Sequence, residues 1–132
     1  MTPERVRIRE VGPRDGFQNE PEVIATSDKV RLVEALGRTG LRRLEVTSFV
    51  RADVIPQLAD AADVLEAVEL PPEISRSVLI PNERGLENAR EQIDQPHLVG
   101  GRDHLRLVLE PVAGPDLADL DGVGHAMESS RR

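Results

Sequence analysis

Cysteine is absent from all 132 residues. Disulfides, thiolate metal sites and cysteine nucleophiles are therefore excluded within this chain. Tryptophan and tyrosine are also missing, and aromatics make up 2%, which leaves no stacking platform for nucleic-acid bases. No apolar run approaches the roughly 20 residues of a membrane span. The opening ten residues, MTPERVRIRE, are charged and lack the apolar core of a secretion signal, so the expected compartment is the cytoplasm. Positive charge is the minority sign: 17 Lys and Arg stand against 24 Asp and Glu, a formal net charge of −7. That balance argues against nonspecific binding to nucleic acid or anionic membrane, both of which attract basic surface.

What is present reads as alternating strands and helices. Residues 6–11 alternate as a strand, and Gly12-Pro13 stops it with a sharp turn. A loop with Pro21 leads to Ser27, a suitable N-cap with Asp28 in the first turn, and to a helix ending near Arg38. Residues 41–46 form a second strand. Residues 56–68 form a second helix, with Leu58, Ala61, Ala62, Leu65 and Val68 as its apolar stripe and Asp60, Asp63 and Glu66 as its wet face. Pro71-Pro72 ends it. Residues 75–80 are a third strand, 83–92 a short charged helix, and 105–112 a fourth strand. The pattern implies right-handed crossovers and a parallel α/β sheet. Periodicity leaves a doubly wound sheet and a (β/α) barrel both open.

In parallel α/β folds, chemistry gathers at the carboxyl ends of the strands. Strand one offers Arg14 and Asp15 there, strand two Glu45, Thr47 and Ser48, and strand three Pro81 and Asn82. A carboxylate among oxygen donors suits a hard divalent cation such as Mg²⁺ or Mn²⁺. An adjacent arginine suits a carboxylate, a phosphate or a developing enolate. The plainer reading is that Arg14 and Asp15 brace a turn, and that Thr47 and Ser48 cap the next segment.

Four segments carry a resemblance. They are Glu10-Val11-Gly12-Pro13-Arg14-Asp15-Gly16-Phe17-Gln18-Asn19-Glu20, Glu45-Val46-Thr47-Ser48-Phe49-Val50, Val54-Ile55-Pro56-Gln57 and Leu79-Ile80-Pro81-Asn82. In this order, over about residues 6–90, the chain resembles the hydroxymethylglutaryl-CoA lyase family. The resemblance implies a (β/α) TIM barrel and metal-dependent retro-Claisen cleavage of a 3-hydroxyacyl-CoA to acetyl-CoA and a keto acid. It implies that Asp15 binds the divalent cation and that Arg14 polarises the carbonyl that becomes the enolate. Glu45 joins Arg14 as a catalytic candidate. Glu10, Gln18 and Ser48 become candidates for contact with substrate.

The sequence also departs from that family. The family completes its metal site with a His-x-His pair and a late asparagine, and it uses a cysteine on a mobile loop. Here His97, His104 and His125 have no such spacing, and there is no cysteine. A complete barrel takes about 250 residues. Residues 93–132 do not resemble family sequence and are expected to form one strand followed by disordered chain. Within them Asp119, Asp121, Gly122 and Glu128 occupy positions of a calcium loop, but Leu117 stands where the first carboxylate ligand is needed. That stretch reads as a solvated acidic loop.

The expectation is therefore a partial (β/α) barrel of three to four βα units with an atypical carboxyl-terminal tail. Two domains of sequence are expected, 1–92 and 93–132. An acyl-CoA is the substrate if the chain is active. A truncated chain acting alone is expected to be inactive, whether it arises as a gene fragment, a frameshift or an early stop. The alternative is a catalytically dead half-barrel that acts through a second copy or a complementing half.

Overall fold

A computed structural model describes residues 5–93 and 105–109. Helix α1 runs Thr26–Gly37, strand β1 Arg43–Ser48, helix α2 Ala61–Ala67, strand β2 Ser75–Ile80, helix α3 Glu83–Ile93 and strand β3 Leu105–Leu109. The three strands are parallel and lie in the order β1-β2-β3. The segment before them joins at Glu10, which bridges to Leu44 in parallel. Four successive segments thus lie side by side with no reversal. A doubly wound sheet reverses its strand order at its switch point, so this partial α/β fold follows the barrel pattern.

The helices cover one face of the sheet through two apolar clusters. One joins Val33 of α1, Leu44 and Val46 of β1, Val64 of α2, Val68 and Ile74. The other joins Ala61 and Leu65 of α2, Val78 and Ile80 of β2, Leu86 and Ala89 of α3, and Phe49, with Leu107 of β3 packed against it. Helix α2 serves both clusters, which explains its stripe of apolar residues three and four apart. Each fully buried Val, Leu or Ile here contributes about 1.5–3 kcal/mol by leaving water. Val33, Leu44 and Val78 are fully inaccessible. Between β1 and β2 the pairing slips at Glu45/Thr47, a bulge that changes which side chains share a face.

Two glycines are needed where they stand. Gly40 turns α1 into β1 with φ +89°, a conformation that costs an L side chain strain. Gly85 packs under β1's exit, where a Cβ would overlap the Phe49 carbonyl oxygen.

Several boundaries differ from the sequence expectation. The first strand is not a ladder: residues 5–9 pair with nothing in strand form, and the bridge at Glu10 is its whole contribution. Val6 and Ile8, its alternating apolar residues, are exposed at 87% and 64%, so alternation there marks no buried face. Ser27 does not cap α1. The N-cap is Ala25, and Thr26 just inside the helix bonds Asp60 instead. The second helix is broken into a short 3-10 turn, Pro56–Leu58, and α2. Strand β1 extends through Thr47 and Ser48, so these two residues cap nothing. Asp60 is no wet-face residue; it is the partner of a buried lysine. The third strand and the third helix stand where expected, the helix one residue longer. No helix among the described residues is long and apolar enough to cross a membrane. His97, His104, His125 and the acidic loop at 117–128 lie outside the described residues.

Candidate functional site

Two backbone bonds dock the opening segment on β1 immediately before the candidate site. The Glu10 amide donates to Arg43 O at 3.0 Å, and the Glu45 amide donates to Glu10 O at 2.8 Å. The chain must then reverse, and Pro13, buried and lacking an N–H, sits at the first turn of a wide coil, Gly12–Gly16. The coil is closed by the amides of Arg14 and Asp15 donating to Val11 O at 3.0 and 2.7 Å. Glu10 assists: its Oε1 accepts the Gly12 amide at 2.7 Å.

This geometry turns Arg14 back over β1. Its Nε donates to Glu45 Oε1 at 2.7 Å, and its Nη1 donates to Asp15 Oδ1 at 3.1 Å. The three side chains grade from interior to solvent. Glu45 is 4% exposed, Arg14 15% and Asp15 54%. A buried carboxylate bonded to a guanidinium fixes the orientation of that cation. Asp15, at the open end, is the carboxylate that presents itself to solvent.

The other candidates fall around this corner unequally. Gln18 is half-buried one turn beyond Asp15, next to Asn19, whose Nδ2 donates to Asp15 O at 2.7 Å. Ser48 lies inside the sheet, 2% exposed, with its hydroxyl donating to Leu79 O at 3.0 Å. Asn82 is committed elsewhere: its Oδ1 accepts the Gly85 amide at 2.9 Å and so caps α3. Its position before a charged helix was the signal for that role.

The corner offers a metal ion few donors. A hard divalent cation takes about six oxygens. Here Glu45 Oε1 and Glu10 Oε1 are occupied by Arg14 and by a backbone amide. Among the described residues no group of three or more His, Cys, Asp or Glu is placed to hold an ion. Asp15 alone does not make a closed site, and the described residues do not fit a resident metal. What the arrangement can do is hold a rigid cation beside one accessible carboxylate, where negative charge developing on an oxygen would be met without reorganisation.

A concavity of about 700 Å³ opens away from this corner, beyond the end of β1. It is lined by Phe49, Arg51, Asp53, Asn82, Arg84 and Asn88, among others. At its rim Arg51 and Asp53 form an exposed ion pair. The hydrogen bond from Arg51 holds the Asp53 carboxyl below its ordinary value.

No family model matches the chain. Individual relatives do. The chain is 52% identical over 89 residues to a hydroxymethylglutaryl-CoA lyase of Bacillus subtilis, covering 67% of this chain and 30% of that protein. It is 47% identical over 87 residues to the mitochondrial hydroxymethylglutaryl-CoA lyase of Gallus gallus, covering 66% and 29%. The crystal structure of the Bacillus subtilis enzyme superimposes with a TM-score of 0.64 at 51% identity, over 68% of this chain and 30% of that one. A lyase from Acinetobacter baumannii, in complex with coenzyme A and 3-methylmalate, matches with a TM-score of 0.64 at 34% identity, over 78% and 31%. The chain thus spans about 30% of the length of the relatives it matches. Over about two thirds of its own length, in sequence and in fold, it resembles the amino-terminal segment of the hydroxymethylglutaryl-CoA lyase barrel.

Proposed function

We propose that the Arg14–Asp15–Glu45 corner is the charge-stabilising part of a hydroxymethylglutaryl-CoA lyase-type site for a 3-hydroxyacyl-CoA. The observation that supports this reading is the 2.7 Å bond from Arg14 to a carboxylate 4% exposed, beside an Asp15 left 54% exposed. In the reaction the substrate hydroxyl gives its proton to a base, the oxygen's electrons form the new carbonyl as the adjacent carbon–carbon bond breaks, and that bond's electron pair becomes the enolate of an acetyl thioester. That carbon then takes up a proton to give acetyl-CoA, and the other product is a keto acid. Arg14 is the group suited to the enolate oxygen, because Glu45 fixes its direction before substrate arrives. Asp15 is the carboxylate left open to a substrate, and the described residues supply too few donors to hold the divalent cation, Mg²⁺ or Mn²⁺, that the resemblance implies. Gln18 and Glu10 are the remaining candidates for substrate contact, whereas Ser48, expected among them, is buried with its hydroxyl spent on Leu79 O.

The described residues supply neither the other metal donors nor an acid to protonate the carbon. Turnover therefore requires groups from outside them, and the chain acting by itself is expected to be inactive. A second reading is a dead half-barrel that functions by association with a second copy or a complementing half. It is supported by Val6 and Ile8, exposed apolar residues on a segment joined to the sheet by a single bridge. The test is acetyl-CoA release from hydroxymethylglutaryl-CoA by the purified chain, with and without Mn²⁺, alongside size-exclusion chromatography. The expected result is no release by the chain alone. Metal-dependent release abolished by Asp15→Ala would overturn the expectation of inactivity while supporting the assignment of the corner. Release unaffected by Asp15→Ala or Arg14→Met would overturn the assignment.

A further inference from the structure

Lys29 is a charged residue in the interior, 2% exposed on α1. Its ammonium donates to the Gln57 carbonyl at 2.6 Å and to Asp60 Oδ1 at 2.5 Å. Asp60 Oδ2 accepts a third bond, from Thr26 Oγ1 at 2.6 Å. A buried ion pair is a poor source of stability, because apolar residues of similar volume commonly serve as well or better. Its value lies in geometry: the ammonium donates to directed oxygen partners, and one of them is the backbone of the short turn Pro56–Leu58. Leu58 seats the turn by packing, 2% exposed, and the bond from Lys29 adds a directed hold on the Gln57 carbonyl.

That turn reaches the candidate site. The Gln57 side chain donates from Nε2 to the Glu20 carbonyl at 2.8 Å. Glu20 ends the segment that begins at Asp15, and the near end of that segment is tied by Asn19 Nδ2 to Asp15 O at 2.7 Å. The Asn19 and Glu20 amides donate to Gly16 O and Phe17 O at 3.1 and 3.2 Å. Gln18 sits inside this doubly tethered segment, eight residues before α1 begins at Thr26.

We propose that Lys29, paired with Asp60, is a positioning residue that locks the Gln57 turn and through it fixes the segment carrying Asp15 and Gln18. The inference goes beyond the lyase reading and holds whether or not the chain turns over a thioester.

The experiment is amide hydrogen exchange on the full chain by NMR, read at Asn19 and Glu20, with urea denaturation in parallel. Gln57→Ala cuts the tether and leaves the ion pair. It should accelerate exchange at both amides by about tenfold or more while the urea midpoint stays near wild type, as expected for local opening. Lys29→Met should accelerate the same amides and also lower the midpoint. The double variant K29M/D60L replaces the ions by apolar side chains. It should recover the midpoint but keep the fast exchange, because nothing then holds the Gln57 carbonyl. Unchanged exchange in Gln57→Ala would overturn the proposal. So would a double variant that restores both the midpoint and slow exchange, since the pair would then act on stability alone. If Lys29→Met does not fold, Gln57→Ala and the double variant still decide.

Discussion

Arg14→Met keeps most of the arginine stem and removes its charge, leaving Glu45 as a carboxylate 4% exposed whose guanidinium partner is gone. Breaking a buried pair from one side typically costs 3–5 kcal/mol. Arg14 is 15% exposed, so some water follows the substitution, and about 3 kcal/mol is expected. The reverse change is milder. In Glu45→Gln the arginine keeps Asp15 at 3.1 Å and partial access to solvent, and the loss should be about 1 kcal/mol. The variant R14M/E45Q has no orphaned charge, so it should cost about 1–2 kcal/mol rather than the sum of the two, a coupling of about 2 kcal/mol. Asp15→Asn should cost under about 0.5 kcal/mol, since that arm of the cluster is a surface pair. Urea denaturation resolves this ordering easily: with a slope of about 1–3 kcal/mol per molar, a 3 kcal/mol loss moves the midpoint by about 1 M or more. Arg14→Met no worse than Glu45→Gln, or a double variant equal to the sum of the singles, would refute the claim that Arg14 and Glu45 form a coupled buried pair.

Two further outcomes are expected. Gly85→Ala gains about 1 kcal/mol of helix propensity but drives a methyl group into the Phe49 carbonyl, an overpacking cost of about 1–3 kcal/mol; thermal denaturation should show a net loss, and a gain would mean that α3 can shift. Arg51 depresses the Asp53 carboxyl from its ordinary 3.8 by its hydrogen bond first, so this group favours the fold above its unfolded value and the benefit fades as pH falls through the lower folded value. Both side chains are exposed, so the effect belongs in an NMR titration, where Arg51→Ala should move the Asp53 midpoint upward; an unmoved midpoint would remove the pair as the cause.

Much of this organisation was legible before any coordinates. Residues 75–80 read as a strand broken at Pro81-Asn82, and β2 occupies those positions. Residues 83–92 read as a helix, and α3 is there. The failures have physical causes. Ser27 has the chemistry of an N-cap, but Thr26 is drawn to Asp60, 34 positions away, and helix α1 begins there. Asp60 has the spacing of a solvated face, yet it answers Lys29 across the helix interface. Val6 and Ile8 alternate as a strand should, but the chain pairs only from Glu10 onward. In each case a partner distant in sequence decided what local pattern could not.

The order of strands and helices, the family resemblance and the side-by-side placement of Arg14 and Asp15 follow from the chain's own residues, because turns, apolar periods and neighbouring positions are local properties. That Arg14 rests on Glu45, that Ser48 spends its hydroxyl inside the sheet, and that a buried lysine holds the Gln57 turn were decided only when strands and helices came together. Directed bonds between residues some thirty positions apart depend on sheet register and on which helix packs where, and no stretch of sequence contains that information by itself.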